Sequence, residues 1–353
     1  MSGWWKIAKL GQGSYASVFQ ACNESLSCVA VKSVDYNDHH GYASLEKEGQ
    51  ILAQLNGTPN VVQYFGEDFS IENGRGVYSL LLEYSPVGSF YDLMKNTYSQ
   101  GQRFPETHIA CYASMLLTGL AGIHSKGIVH CDLKPANILV FPAVYGGGLT
   151  SQLKLADFGV ARRVSEKEPL LVYDSEGRMN YTRTSLPYAS PESLRSGRHN
   201  TCTDIWSLGC IVADLITGKR VWKYKDDAEL IDQILHGTID LPGSFSNKDR
   251  VDFLRRCLAR NLKERWSAQE LLNHDFIVKN LKIMAEVHGV DLNGKQNQNP
   301  SQKNPFQRVS NMHLFTEPEE PQPQQQQKNP FERFPARPDQ FSCEALVNNR
   351  LGV

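Results

Sequence analysis

No run of apolar residues in this chain approaches the length needed to cross a bilayer, and the opening Met1-Ser2-Gly3-Trp4-Trp5-Lys6 lacks the hydrophobic stretch of a secretory leader. Gly3 does not directly follow Met1, so no myristoylation signal is present. A charge surplus is missing too. The 37 Lys and Arg against 38 Asp and Glu leave a formal net charge of -1, which is neither the basic footprint of a nucleic-acid binder nor an acidic-tail pattern. The eight cysteines, at 22, 28, 111, 131, 202, 210, 257 and 343, form no Cys-x-x-Cys pair and no short framework, so they read as reduced thiols. Together these absences predict no membrane span, no nucleic-acid partner, and a cytoplasmic or nuclear location.

What is present begins with length. A chain of 353 residues exceeds what one hydrophobic core comfortably fills, which predicts two lobes, or a domain and a tail. Its chemistry is concentrated in His130-Cys131-Asp132-Leu133-Lys134-Pro135-Ala136-Asn137 and, after an intervening stretch, Asp157-Phe158-Gly159. This combination suits phosphoryl transfer. Asp132 can take the proton of an attacking hydroxyl, Lys134 can neutralise charge on the moving group, and Asn137 with Asp157 can hold Mg²⁺ against nucleotide phosphates.

Upstream, a strand over Lys6 to Leu10 leads into Gly11-Gln12-Gly13-Ser14-Tyr15-Ala16-Ser17-Val18 and a second strand ending near Ala21. Gly11 and Gly13 lack the Cβ that would keep backbone N–H groups away from phosphates. Cys28 to Val34 is a compact apolar strand bearing one cation, Lys32. Apolar spacing of Leu45, Ile51, Leu52 and Leu55 predicts a helix from Ala43 to Leu55. Strands over Val61 to Phe65 and Tyr78 to Glu83 complete a five-stranded antiparallel sheet, and Ser85-Pro86-Val87-Gly88-Ser89 punctuates its end. A long amphipathic helix over Glu106 to Lys126 stops at Gly127. Ile138-Leu139-Val140 and Leu153-Lys154-Leu155 are expected to form a hairpin, with Phe141 to Gln152 a surface loop between them. A strongly apolar helix opens at Thr203 and runs to about Thr217.

These motifs, in this order, resemble those of eukaryotic Ser/Thr protein kinases. Ala-Val-Lys-Ser-Val at residues 30 to 34, Glu83-Tyr84-Ser85-Pro86-Val87-Gly88-Ser89 and His130-Cys131-Asp132 resemble the plant MEKK-like mitogen-activated protein kinase kinase kinases. The resemblance implies an α+β bilobal kinase fold over residues 4–280, with a small lobe to about 84 and a mainly helical large lobe from about 85. It implies ATP and Mg²⁺ as cofactors and transfer of the γ-phosphate to a Ser or Thr of a MAP kinase kinase. Catalytic roles fall on Asp132, Lys134 and Asn137, with metal ligation by Asn137 and Asp157. Lys32 anchors the phosphates and pairs with Glu48, chosen over Glu46. Val18, Ala30 and Leu139 enclose the adenine, Leu10 is a further nucleotide-binding residue, and the Glu83 to Ser85 backbone meets the adenine edge.

Further roles follow from the same resemblance. His130 supports Phe158, Asp204 accepts catalytic-loop N–H groups, Arg265 pairs with Glu192, and Ser185 replaces the Thr that bonds the catalytic Asp and Lys. Ala16 stands in place of a third loop glycine, and Cys131 in place of an Arg that couples activation to loop phosphorylation. Cys131 reads either as a small filler or as a redox sensor. Thr182 and Thr184 read either as phosphoacceptors or as members of a solvated loop. These departures, with Thr184 and Tyr188-Ala189-Ser190, keep a second function open: a pseudokinase or scaffold without turnover. Residues 288–353, rich in Gln, Asn and Pro, are expected to be disordered. Within them Asn304-Pro305-Phe306 and Asn329-Pro330-Phe331 are either paired adaptor-binding turns or a chance repeat.

Overall fold

The computed structural model describes residues 4–287 apart from 14, 25–26, 146–147, 167–171, 174–178, 181–184, 238 and 240–246. Thr182, Thr184 and both Asn-Pro-Phe copies lie outside the described residues. Among the described residues two compact units are present: 4–42 with Phe65–Leu82, and Ala43–Tyr64 with 83–287.

The first unit is built on the expected five-stranded sheet, β1 (Trp4–Gln12), β2 (Ser17–Asn23), β3 (Cys28–Asp35), β4 (Tyr64–Glu72) and β5 (Arg75–Glu83), in the order β1-β2-β3-β5-β4. Alternation along the strands sends Trp4, Ala21, Val29, Val31 and Leu81 into one apolar cluster. Lys6 bonds Glu72 at 2.8 Å and lies over the Phe19 ring. The reading of all cysteines as reduced thiols is corrected at one pair. Cys22 and Cys28 face each other across β2 and β3 and form a disulfide. A six-residue separation across a hairpin brings two Cα atoms to the 4.1 Å seen here, and only strand register reveals that proximity.

Helix α1 runs from His39 to Leu55, four residues longer at its start than expected. The extra turn is His39-His40-Gly41-Tyr42, poor in helix formers, and the Asp38 carboxylate starts it by accepting the Gly41 N–H at 3.0 Å. The strand expected over Val61 to Phe65 is also corrected. Here β4 begins at Tyr64, while Val61 makes a parallel bridge to Leu155 in the second unit, with no exposure. Its apolar character serves that unit's core.

In the second unit α2 (Phe90–Ser99) and α3 (Glu106–Ser125) precede β6 (Ile128–Val129). Gly127, at φ +68°, lets the chain leave α3 as expected. The hairpin is β7 (Ile138–Tyr145) with β8 (Gly148–Leu155), and its ladder continues from Ile138–Leu155 out to Tyr145–Gly148. The surface loop expected over Phe141 to Gln152 is therefore mostly strand. Its Phe141 is buried on this ladder, opposite Gln152. Beyond it, β9 (Arg162–Arg163) pairs with β6. Then come α4 (Pro191–Ser196), α5 (Thr201–Thr217), α6 (Asp227–His236), α7 (Lys248–Cys257), α8 (Ala268–Leu272) and α9 (Asp275–Val287). Every α5 residue from Thr203 to Leu215 is buried. Gly209 makes that possible, since a Cβ there would come within 2.8 Å of Cys257 and Leu258 side-chain atoms.

Candidate active site

The loop of residues 130–137 is held from below by one buried carboxylate. Asp204, in the first turn of α5, accepts the His130 N–H at 2.9 Å and the Cys131 N–H at 3.0 Å, and bonds His124 Nε2 at 2.8 Å. Burial alone would raise the Asp204 carboxyl, but the His124 bond and charge hold it below the usual range. The structure thus gives Asp204 the supporting role expected of it and adds His124. His130 is fully buried, its ring 4.9 Å from that of Phe158 and its Nε2 3.0 Å from the Ala156 carbonyl. It is a packed support, as expected.

Cys131 and Asp157 both have positive φ, +69° and +60°. A side chain in the left-handed region costs free energy and persists only when its surroundings fix it. Asp204 supplies that constraint at Cys131. The Cys131 thiol is buried and pushed well above its ordinary range, by burial first and then by Asp204. Thiolate is suppressed there, which favours the filler reading over the sensor.

Asp132, Lys134, Asn137 and Ser185 come together. Lys134 Nζ lies 2.7 Å from Asp132 Oδ2 and donates to Ser185 Oγ at 2.7 Å. The Ser185 N–H donates to Asp132 Oδ1 at 3.1 Å. Asn137 Nδ2 donates to Asp132 Oδ2 at 3.0 Å and to the Asp132 carbonyl at 2.9 Å. Both carboxylate oxygens are thus oriented by fixed donors, and a cation stands beside them. The arrangement can accept a hydroxyl proton and shield negative charge in one place. With its Nδ2 committed, Asn137 presents Oδ1, the atom that would ligate a hard cation.

The remaining predicted residues are placed as follows. Gly11 on β1 pairs with Val18, and Val18 pairs with Lys32 on β3. Leu10 is exposed and Ala30 buried. The Gly13 N–H donates to the Ala16 carbonyl at 2.8 Å, and Ala16 is buried where a glycine was expected. All of these belong to the first unit. Glu48 is buried on α1, whereas Glu46 is half-buried. The Glu83 N–H donates to the Gln63 carbonyl at 2.9 Å and its carboxylate pairs with Lys154 at 2.6 Å, so its carbonyl is the edge it offers. Ser85 Oγ donates to the Val140 carbonyl at 2.5 Å, and Leu139 bridges Ser89. Asp157 is exposed.

Two supports act at longer range. Arg265 donates to Glu192 Oε1 and Oε2 at 2.6 and 3.2 Å, a bidentate pair as expected, with the Arg265 side chain wholly buried. Sequence reasoning missed Asp214, which accepts from Tyr188 Oη at 3.0 Å and from the Val221 N–H at 2.8 Å and so fixes the stretch after Ser185. It also missed Lys47 with Glu166. None of these pairs has a local pattern that a sequence could display.

A protein kinase domain model matches residues 4–277. Mitogen-activated protein kinase kinase kinase 20 of Arabidopsis thaliana is 32% identical, over 79% of this chain and 79% of its own length. Mitogen-activated protein kinase kinase kinase 18 of the same plant is 35% identical, over 78% and 77%. Serine/threonine-protein kinase pakH of Dictyostelium discoideum is 33% identical, over 76% of this chain and 48% of its own. ATP is the phosphate donor of such a domain. The match across most of the chain, with these relatives, places it in the protein kinase family as a Ser/Thr kinase similar to plant mitogen-activated protein kinase kinase kinases.

Proposed function

We propose that this kinase phosphorylates a MAP kinase kinase on Ser or Thr, at the tier its plant relatives are named for. The observation that carries turnover is the Lys134 ammonium held between Asp132 and Ser185, at 2.7 Å from each. Asp132 accepts the proton of the attacking hydroxyl. Lys134 stabilises the charge that grows on the transferring group, and Ser185 keeps that ammonium in place. Lys32 and Glu48 fix the nucleotide phosphates, and the carbonyl edge near Glu83 with the apolar Val18, Ala30 and Leu139 receives adenine.

Among the described residues no three His, Cys, Asp or Glu side chains form a metal cage. Asn137 and Asp157 would be the protein ligands of a Mg²⁺ that takes most of its oxygens from phosphate and water. Bound there, Mg²⁺ would supply charge neutralisation of the phosphates. The paired Asn-Pro-Phe copies serve as short linear motifs for an adaptor, and a cytoplasmic or nuclear location accords with this role.

The test is γ-phosphate transfer by the full chain onto a catalytically dead MAP kinase kinase and onto a generic basic protein, beside Asp132→Asn. Strong transfer to the first, weak to the second and none by the variant is expected. Equal transfer to both would remove the substrate tier, and ATP binding without any transfer would restore the scaffold reading.

A further inference from the structure

Helix α1 and the segment after Asp157-Phe158-Gly159 are tied at two places, both inside the second unit. At the first, the Lys47 ammonium lies 2.9 Å from Glu166 Oε2. The same carboxylate is 3.5 Å from Arg162 Nε and accepts the Arg163 N–H at 3.1 Å through Oε1. At the second, Arg163 Nη2 donates to Gln54 Oε1 at 2.8 Å, and Lys126 Nζ donates to the Gln54 carbonyl at 2.8 Å. Positions 47 and 54 are two helical turns apart and share a face. The other end of the tie is β9, which pairs with β6, and β6 leads through His130 into Cys131 and Asp132. One continuous set of bonds therefore runs from α1 through Glu166 and Arg163 to the loop that carries the catalytic acid.

Glu166 is the one carboxylate among these residues, set against the cations Lys47, Arg162, Arg163 and Lys126. Cys131 is neutral and contributes no charge. Lys47 from α1 and Arg162 within β9 both lie against Glu166, while the Arg163 and Lys126 side chains bond Gln54. Burial would raise the Glu166 carboxyl, yet the Lys47 and Arg163 bonds bring it below the ordinary range. An isolated exposed ion pair would hold little. This one is a carboxylate that accepts from Lys47 and from the Arg163 N–H, with the Arg162 guanidinium 3.5 Å away, and it is backed by a second bond two turns away.

We infer that Glu166, through Lys47, is a positioning residue for phosphoryl transfer: a built-in negative charge that holds α1, and with it Glu48, in the working arrangement without a phosphate on the activation segment. The inference rests on the proposed role of Glu48 in ATP binding. Glu166 touches no reacting atom; it acts through the helix.

The experiment uses the full chain, treated with phosphatase and shown by mass spectrometry to carry no phosphate on residues 157–192. Steady-state kinetics are measured for wild type, Glu166→Gln, Lys47→Met, Lys47→Arg and the double variant Lys47→Met/Glu166→Gln. The expected result is an active unphosphorylated wild type. Each of Glu166→Gln and Lys47→Met loses about fivefold in kcat, the double loses no more than the worse single, and Lys47→Arg keeps wild-type kcat. Thermal midpoints stay together, so the loss is not one of folding. A wild type active only after phosphorylation, losses that multiply in the double variant, or unchanged kcat would overturn the inference. If no form transfers phosphate, the proposed function fails instead. The tie is then judged by backbone hydrogen exchange over α1 and residues 162–166, where faster exchange in Glu166→Gln and Lys47→Met but not in Lys47→Arg supports it and unchanged exchange overturns it.

Discussion

Lys134 divides one charge between a carboxylate and a hydroxyl, and the hydroxyl decides where the ammonium rests. Ser185→Ala removes that acceptor, and a cation drawn wholly onto Asp132 is displaced from the phosphate it serves. A fall in kcat of roughly tenfold is expected, the scale of one hydrogen bond. Ser185→Thr keeps an Oγ and is expected to stay near wild type, so kcat ordered wild type, Thr, Ala checks the role, and equal values for Ala and Thr would refute it. Cys131 gives a second prediction at this scale. Its thiol is buried and its thiolate disfavoured, so iodoacetamide at neutral pH should leave it unlabelled in the native protein and label it after denaturation, as read by peptide mass spectrometry. Native labelling would return Cys131 to the sensor reading. Roles carried by motifs, those of Asp132, Lys134, His130 and Asp204, were legible in the sequence because the chemistry requires neighbouring residues in order. His124 with Asp204 is 80 positions apart and Lys47 with Glu166 is 119 apart. Such pairs exist only once the chain is folded, and no spacing announces them.

Elements were misread where local composition served a distant partner. Val61 looks like the start of a strand because it is apolar, yet its burial is against β8; the first turn of α1 looks like a loop because a cap, not propensity, sustains it. The pairs that join elements carry two further predictions. Arg265 and Glu192 link the end of the activation segment to the stretch before α8, and Arg265 has no exposed side-chain surface while Glu192 keeps 17%. Removing either partner strands a charge, at about 3 to 5 kcal/mol. Glu192→Gln should be the costlier change than Arg265→Met, because the more buried ion is the one left behind; urea unfolding midpoints give the order. Asp214 links α5 to the segment around Tyr188. Burial pushes its carboxyl up to about 6, against the lowering effect of the Tyr188 and Val221 bonds. The folded state therefore holds this proton more tightly than the unfolded chain, whose Asp titrates near ~3.9. Stability from this group is present at pH 4 and is lost as pH rises to about 6, by about 3 kcal/mol in all. Asp214→Asn removes the linkage, so the difference in stability between wild type and variant should change between pH 4 and 6 and be constant above 7. Parallel curves throughout would show that Asp214 does not titrate in this range.

At the scale of the whole molecule the question is where the kinase domain ends, and the family match and the packing give different answers. The match stops at residue 277, but α9 continues to Val287 and packs on α3. Beyond residue 277, Asn280 is 7% exposed and donates to the Phe276 carbonyl, Met284 is 9% exposed and Ala285 not at all. These are core residues, and the Lys279 pairs with Asp249 and Asp275 cap the same turn. From residue 288 the composition turns to Gln, Asn and Pro. A chain cut after residue 277 therefore loses the burial of Met284 and Ala285 and exposes the α3 surface beneath them, at roughly 3 kcal/mol. A chain cut after Val287 loses none of it. The second truncation should unfold at the temperature of the full chain and keep its transfer to a generic protein substrate, while the first should unfold several degrees lower. Calorimetry of the three forms distinguishes them: a 287 cut that melts with the 277 cut would mean that residues 288–353 contribute to the folded kinase and that the tail has a structural role.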